Sequence, residues 1–418
     1  MNNSSEYKKV EDKWFDSKRF KKRRLKYLVN FERGVEPGSK NYGIEGEGKR
    51  YIRVNDIGSN NKDNVYVKLE TNSICNKEDI LLCLDGSPGI VVRGFDGIFS
   101  TGLRKLELKD KELDYNYLFY SLNCDFSQEC ISFFSKGTTI MHSSDSTNYL
   151  KQPLPPKEDQ IIISDYLDEA TKRLNKVIEN KKEQVNLIEE ETMVLIKKTL
   201  TQGIKTKELK ETNLFWIEKM NKDWKIKKVK HFCSIFVPQR DKPHLNQNTE
   251  GYPWITMEDI GKKELITSIS NNYVSQKEAK DNGSRTLKSY SIIASCVGNF
   301  GVSSVNVSEV VINQQLQAYI PFNINPFFLR YFVIIAKSYY ESVATSTTIV
   351  YVNQRRFENL PICTPTLEEQ KEIVEYLDIQ ISKCDRIKLI LNSQISKLEE
   401  YKKILINDVV TGKMKVTA

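Results

Sequence analysis

The chain has eight cysteines and three histidines in 418 residues, and neither set is arranged to hold a metal. Cysteines 75, 83, 124, 130, 233, 296, 363 and 384 include no Cys-x-x-Cys pair, and histidines 142, 231 and 244 stand apart. Zinc ligands come in close pairs, so no metal site is expected. Scattered thiols suit a reducing compartment. No run of 18 apolar residues occurs, and Met1-Asn2-Asn3-Ser4-Ser5-Glu6 carries no apolar signal region, so a cytoplasmic protein without a membrane span is expected. Motifs of nucleotide chemistry are missing as well. There is no Pro-Pro-aromatic motif to hold a flipped adenine and no glycine-rich loop for a methyl donor. Gly43 to Lys49 spells Gly-x-x-x-x-Gly-Lys, but Arg50 follows where a phosphate loop needs Ser or Thr, and Tyr51-Ile52-Arg53-Val54 continues as strand. The segment reads as a mobile basic loop. Asp79 and Asp85 lie near strand ends without a further metal ligand, and no catalytic residue is assigned.

What the sequence does have is a long helical segment that occurs twice, offset by 210 residues without a gap. Gln160, Ile163, Tyr166-Leu167-Asp168, Gln184, Glu189-Glu190, Leu195-Ile196 and Thr201 recur as Gln370, Ile373, Tyr376-Leu377-Asp378, Gln394, Glu399-Glu400, Leu405-Ile406 and Thr411. A repeat of this length is a duplicated domain. Each copy carries a heptad-like apolar stripe. In the first copy the seam is read as Ile163, Leu167, Leu174, Val177, Ile188 and Leu195, with Ala170 between. In the second it is read as Ile373, Leu377, Ile387, Leu391, Leu398 and Leu405, with Cys384 and Tyr401. Gln184 and Gln394 interrupt the stripe at one shared place. Pro155-Pro156 and Pro365 precede the helices, acidic residues follow at Glu158, Asp159, Glu368 and Glu369, and Gly203 and Gly412 close them. Helices this long, with one apolar seam each, are expected to pair with each other as an antiparallel coiled coil; two separate coiled coils are the alternative.

The intervening stretches are rich in Gly, Asn, Ser and aromatics, with turn signals every eight to twelve residues, and read as small mixed domains with much strand. The expected division is 1–153, 154–203, 204–362 and 363–418: domain, helix, domain, helix. The domains repeat more loosely. Asn55-Asp56-Ile57-Gly58 matches Glu258-Asp259-Ile260-Gly261, Asp79-Ile80-Leu81-Leu82 before Gly86 and Gly89 matches Ser291-Ile292-Ile293-Ala294 before Gly298 and Gly301, and Gly137-Thr138-Thr139-Ile140 matches Ser346-Thr347-Thr348-Ile349. Between these anchors the side chains differ, as expected of one scaffold carrying two sets of loops. The net charge of +8 is concentrated in clusters. Lys18-Arg19-Phe20-Lys21-Lys22-Arg23-Arg24 and Lys222, Lys225, Lys227, Lys228 and Lys230 stand at equivalent places in the two halves, which favours contact with a polyanion.

The order of domain, long helix, domain, long helix resembles the DNA specificity subunit of Type I restriction-modification systems. The most specific marks are Leu154-Pro155-Pro156-Lys157-Glu158-Asp159-Gln160 and Thr364-Pro365-Thr366-Leu367-Glu368-Glu369-Gln370, which resemble that family's proline and Glu-Gln approach to each helix. The Asp-Ile-Gly strand ends, Gly298-Asn299-Phe300-Gly301, Asn313-Gln314 and the Thr-Thr-Ile segments resemble it too. The first half departs at Asp159, where the second has Glu369, and lacks an Asn-Gln pair where Gly102-Leu103 mirrors Gln315-Leu316.

The resemblance implies an α+β fold with two target-recognition domains and paired spacer helices, and a protein that binds a bipartite double-stranded DNA site, one half per domain. It implies two methyltransferase subunits and restriction subunits as partners, with S-adenosylmethionine, ATP and Mg on those partners and no cofactor or catalytic site here. Phosphate contacts are expected from Lys21, Lys22, Arg23, Arg24, Lys225, Lys227 and Lys228. Base readout is expected from Arg93, Arg104, Lys136, Thr138 and Thr139 in the first domain and from Asn299, Gln314, Ser346, Thr347, Thr348, Gln354 and Arg355 in the second. A DNA-targeting subunit of another defence or modification enzyme, or a coiled-coil scaffold that binds protein, are the competing classes.

Overall fold

The computed structural model describes residues 20–57, 64–135, 141–142, 146–205, 208–247, 249–281, 283–345 and 350–416, with the side chains of 141, 142 and 146 excepted. The chain folds as two compact units: Met1–Lys182 with Asn392–Ala418, and Glu183–Leu391. Each holds a mixed α+β domain and parts of two long helices, Lys157–Gln202 and Leu367–Val410. At 46 and 44 residues these helices extend about 69 and 66 Å at 1.5 Å per residue.

The two domains share a topology. In the first, strands Val29–Arg33, Leu103–Leu108, Leu81–Cys83 and Val91–Val92 lie side by side in that order. In the second, Cys233–Phe236, Leu316–Pro321, Ile292–Ser295 and Ser303–Asn306 repeat the order. A parallel pair recurs too, Lys49–Ile52 with Gly97–Phe99 and Tyr252–Ile255 with Val311–Ile312. Leu103 and Leu316 open equivalent strands, as the mirrored Gly102-Leu103 and Gln315-Leu316 suggested. Each sheet is followed by two short helices, Tyr115–Asn123 and Asp125–Phe134 in one half, Pro326–Ile335 and Lys337–Val343 in the other. Gly43 to Lys49 is a turn between strands, closed by the Glu47 amide donating to the Ile44 carbonyl (3.1 Å), and strand rather than helix follows it.

Each domain core is shared with both long helices. In the first unit Leu118, Leu122 and Ile131 pack with Ile163 and Leu167 from the start of one helix and Leu405, Ile406, Val409 and Val410 from the end of the other. In the second, Phe328, Phe332, Tyr340 and Trp216 pack with Ile196 and Leu200, and with Ile373 and Leu377. Start and end of opposite helices therefore meet in each unit, which makes the pairing antiparallel. The polar bonds agree: Lys182 Nζ reaches Glu399 (3.1 Å) and Lys402 Nζ reaches Asn175 (3.0 Å) in the first unit, and Lys388 Nζ reaches Glu189 (3.8 Å) in the second.

The seam corrects the expected residues in part. Ile163, Leu167, Leu174, Ile188 and Leu195 are buried or half-buried, as are Ile373, Leu377, Leu391, Leu398 and Leu405. Val177 (42 % exposed) and Ile387 (48 %) are outside it, and so is Tyr401 (52 %). From Leu167 the covered positions step by four and three through Thr171, Leu174, Ile178, Lys181, Val185, Ile188, Thr192 and Leu195, and the same phase runs from Leu377 through Ile381, Cys384, Lys388, Leu391, Ile395, Leu398, Lys402 and Leu405. The physical reason is that polar Thr171, Lys181, Lys388 and Lys402 sit on the stripe with their stems covered, while apolar Val177 and Ile387 lie one residue off it. Gln184 and Gln394 are exposed rather than set in the stripe; Gln394 accepts a bond from Lys181 Nζ (2.7 Å) at its edge.

The helix ends follow the sequence. Gly203 and Gly412 adopt φ +88° and +76°, the left-handed cap conformation, and Thr366 and Glu369 form a reciprocal cap at the start of the second helix. The repeated glutamine has a defined task. Gln160 Oε1 accepts from the Asp114 amide (2.8 Å) while its Nε2 donates to the Pro155 and Glu112 carbonyls. Gln370 does the same with the Asn325 amide (2.9 Å) and the Pro365 carbonyl. Asp114 and Asn325 cap the first short helix of each domain, so one buried amide side chain joins spacer and domain.

All eight cysteines are free thiols and seven are buried. Burial pushes the thiol of Cys75 up to about 11 and those of Cys233, Cys296 and Cys363 to about 12. Among the described residues no group of three or more His, Cys, Asp or Glu could hold a metal ion, and no helix is long and apolar enough to cross a membrane.

Candidate nucleic-acid interface

Part of each basic cluster forms a strand at the root of a domain, and Lys18 and Arg19 lie outside the described residues. Lys21–Arg24 pairs antiparallel with Lys151–Leu154, and Lys225–Lys228 pairs with Pro361–Thr364, the strand that leads into each spacer helix. The two strands show one pattern, with positions one, three and four exposed and position two half-buried. Lys21, Arg23 and Arg24 are thus matched by Lys225, Lys227 and Lys228, whereas half-buried Lys22 corresponds to Ile226. Arg23 is committed to an ion pair with Asp110. Lys225, Lys227 and Lys228 have no carboxylate partner among the described residues.

At another end of the second domain several predicted readers come together. Asn299 is exposed on a turn whose flanks, Gly298 (φ +70°) and Gly301 (φ +83°), require the left-handed region that glycine alone adopts freely. The Gly298 amide donates to the Val350 carbonyl (3.0 Å), the Val352 amide to Cys296 (2.9 Å), and the Cys296 amide to Gln315 (3.0 Å). Gln314 is exposed, and its Nε2 donates to the Arg240 carbonyl (2.9 Å), tying in a fourth loop. The turn with Asn299, the Asn313-Gln314-Gln315 turn, the loop at Arg240 and the residues flanking 346–349 thus form one loop cluster. Ser346, Thr347 and Thr348 lie outside the described residues, as do Lys136, Thr138 and Thr139 of the first half. Gln354 and Arg355 are exposed on the short helix Gln354–Glu358 just beyond Val352; Gln354 bonds Glu358 (2.8 Å) within that helix.

Two expected readers in the first domain are engaged elsewhere. The Arg104 side chain is only 13 % exposed, donates to the Thr101 and Leu103 carbonyls (2.6 and 2.9 Å) and lies 3.6 Å from Asp85; burial lowers its pKa, opposed by that carboxylate. It braces the turn instead of presenting a free fork. Arg93 donates to Asp168 (2.6 Å) and Asn116 (3.0 Å), and its guanidinium lies 4.5 Å from the centre of the Phe119 ring. It therefore belongs to the junction with the spacer helix, beside an open cleft of about 1100 Å³ that Lys172, Lys176 and Lys402 also line.

Asp168 accepts a second bond from the Tyr120 hydroxyl (2.6 Å), and burial together with that bond pushes the phenol up to about 12. The second half repeats this arrangement: Asp378 accepts from Tyr331 (2.7 Å) and from Lys263 (2.6 Å).

Two further exposed arginines, Arg33 and Arg240, stand at matching places and were not among the expected readers. Arg33 is exposed at the end of its strand, paired in register with Arg104, and exposed Arg240 lies four residues past the equivalent strand. Both stand at or just past the ends of matching strands, where loops begin.

Comparison with known proteins agrees with this repeat. The chain matches the family described as Type I restriction modification DNA specificity domain twice, over residues 17–187 and 221–397. It is 26% identical over 370 residues to the Type I restriction enzyme MjaVIII specificity subunit of Methanocaldococcus jannaschii, covering 84% of this chain and 83% of that protein. It is 23% identical over 341 residues to the putative type I restriction enzyme MjaX specificity subunit of the same organism, covering 79% and 74%. A chain solved in a study of complex assembly and conformational transition of the type I R-M system shares the fold, with a TM-score of 0.70 at 16% identity over 95% of this chain and 99% of that one. With two matched segments that together span most of its length, the chain belongs to the Type I restriction-modification DNA specificity family.

Proposed function

We propose that this specificity subunit is the non-catalytic reader of its complex, that each domain reads one half of a bipartite double-stranded DNA site, and that the site is asymmetric. The observation that carries the reading is one scaffold bearing two different loop sets. Where the second half presents Gly298-Asn299-Phe300-Gly301, the first has Gly86-Ser87-Pro88-Gly89, and Gln314 corresponds to Thr101 in the register that mirrors Gly102-Leu103 with Gln315-Leu316. An exposed amide can read a base edge, whereas a small hydroxyl reads fewer groups. Lys225, Lys227 and Lys228, with Lys21 and Arg24, supply phosphate contacts that position without reading. Two modules on one support bind two half-sites with high effective concentration for the second.

Partner subunits carry the chemistry in this reading: two modification subunits transfer a methyl group from S-adenosylmethionine to adenine, and restriction subunits use ATP and Mg. This chain itself takes no cofactor. Exposed apolar side chains on the spacer helices, Val194 at 66% and Leu389 at 70%, suit a docking surface for the modification subunits. The complex acts in the cytoplasm. The test is to map adenine methylation across the native genome with and without this gene. Loss of one bipartite, asymmetric motif on deletion is expected. An unchanged methylation pattern in a strain whose modification subunits are expressed and active would overturn the reading in favour of a protein-binding scaffold.

A further inference from the structure

Two polar contacts between a domain and its spacer helix recur at equivalent places in the two halves. The first is the glutamine bonded to the cap residue, Gln160 to Asp114 and Gln370 to Asn325. The second lies eight residues along the spacer, Asp168 with Tyr120 and Asp378 with Tyr331, in each case six residues beyond that cap residue. The leucines between these points, Leu167 and Leu377, are fully buried, so apolar packing already holds the parts together. Apolar packing is non-directional. Hydrogen bonds have strict geometry, and two of them spaced along a helix fix the angle at which a second helix lies across it.

The cations at these points argue against mere inheritance from the duplication. Arg93 follows the strand Val91–Val92, and its counterpart in the second half is Val305, by the register that pairs Gly89 with Gly301. Lys263 precedes the strand Glu264–Leu265, and its counterpart in the first half is Asn60, by the register that pairs Gly58 with Gly261. The two halves bring a positive charge to equivalent aspartates, Asp168 and Asp378, from different loops. Each cation also lies over a ring of the short helix, Arg93 over Phe119 and Lys263 over Phe327 at 4.6 Å. A charge re-supplied from a new place at an unchanged Asp–Tyr pair marks a retained requirement.

We infer that these two latches are positioning devices: the Asp168–Tyr120–Arg93 and Asp378–Tyr331–Lys263 contacts set the angle of each recognition domain on its spacer helix, and so restrict the separation of half-sites the subunit accepts. The inference rests on the bipartite reading above. Successive base pairs lie about 3.4 Å apart, so a small tilt at the root of a domain is enough to bring a neighbouring spacing within reach.

The test uses the complex with its modification subunits and duplexes carrying the native half-sites at the native spacing, one base pair shorter and one longer. Tyr120→Phe and Tyr331→Phe remove only a hydroxyl and keep the ring. Each should reduce the discrimination between native and altered spacing at least fivefold, while affinity for the native duplex stays within threefold and the order of base preference within each half-site is unchanged. Arg93→Lys, the cation the second half already uses, should retain discrimination. Should a tyrosine variant fail to assemble, Lys263→Gln replaces it with the same expectation. Unchanged discrimination in these variants, or an equal loss of affinity at every spacing, overturns the inference. If the wild-type complex shows no bipartite preference at all, the functional reading fails first, so the two failures are distinct.

Discussion

Leu377→Ala should destabilise the Glu183–Leu391 half by about 2–5 kcal/mol, the range for truncating a fully buried leucine that leaves a cavity. Leu377 is 0% exposed and belongs to the same core as Phe328, Phe332, Trp216 and Trp224. It sits where spacer helix and recognition domain share that core, so neither can collapse onto the space without disturbing the other. Denaturant unfolding followed by tryptophan emission reads the effect, because Trp216 and Trp224 are buried in that cluster. Val177→Ala is the contrasting control. Val177 is 42% exposed, off the helix seam, and its truncation should change stability by no more than about 0.5 kcal/mol. Equal effects at the two positions would contradict the seam described here.

Replacing Lys225, Lys227 and Lys228 together with glutamine should flatten the salt dependence of DNA binding. Each phosphate contact contributes about 0.9 to the slope of log affinity against log salt, so three lost contacts lower the slope by about 2.7 and weaken binding roughly a hundredfold near 0.15 M salt. These side chains are exposed on a strand paired with Pro361–Thr364, and among the described residues they have no carboxylate to release before meeting a phosphate. Base preference should be unaltered, since phosphate contacts carry no sequence information. Titrations of the wild-type and triple-variant complexes at several salt concentrations check both points. An unchanged slope would remove this strand from the interface.

Much of the architecture was legible because the sequence states it twice. Pro155-Pro156 and Pro365 with the acidic residues after them marked the helix starts, and the structure adds why glutamine recurs there: a side chain with both donor and acceptor can take an amide and a carbonyl at once. Gly203 and Gly412 gave the ends. The seam was legible in outline and wrong at Val177 and Ile387, because hydrophobicity alone ranks valine and isoleucine above the lysines whose stems fill the next positions.

Arg93 and Arg104 show the limit for the interface. Nothing local in the sequence tells an arginine that will face a ligand from one that will meet Asp168, 75 residues away, or brace its own turn. The exposure of Asn299 was easier to read, since glycines at 298 and 301 announce a tight turn that holds its tip in solvent. The two halves place such turns equivalently and fill them differently, so scaffold and loop sequence vary separately in this chain.

That separation is tested most directly by mapping the methylated motif in cells that carry Asn299→Ala with Gln314→Ala in place of the wild-type gene. Relaxed base preference is expected in one half of the motif only, with the other half and the spacing between them unchanged. Equal degradation of both halves, at protein levels matching wild type, would contradict the assignment of one half-site to each domain.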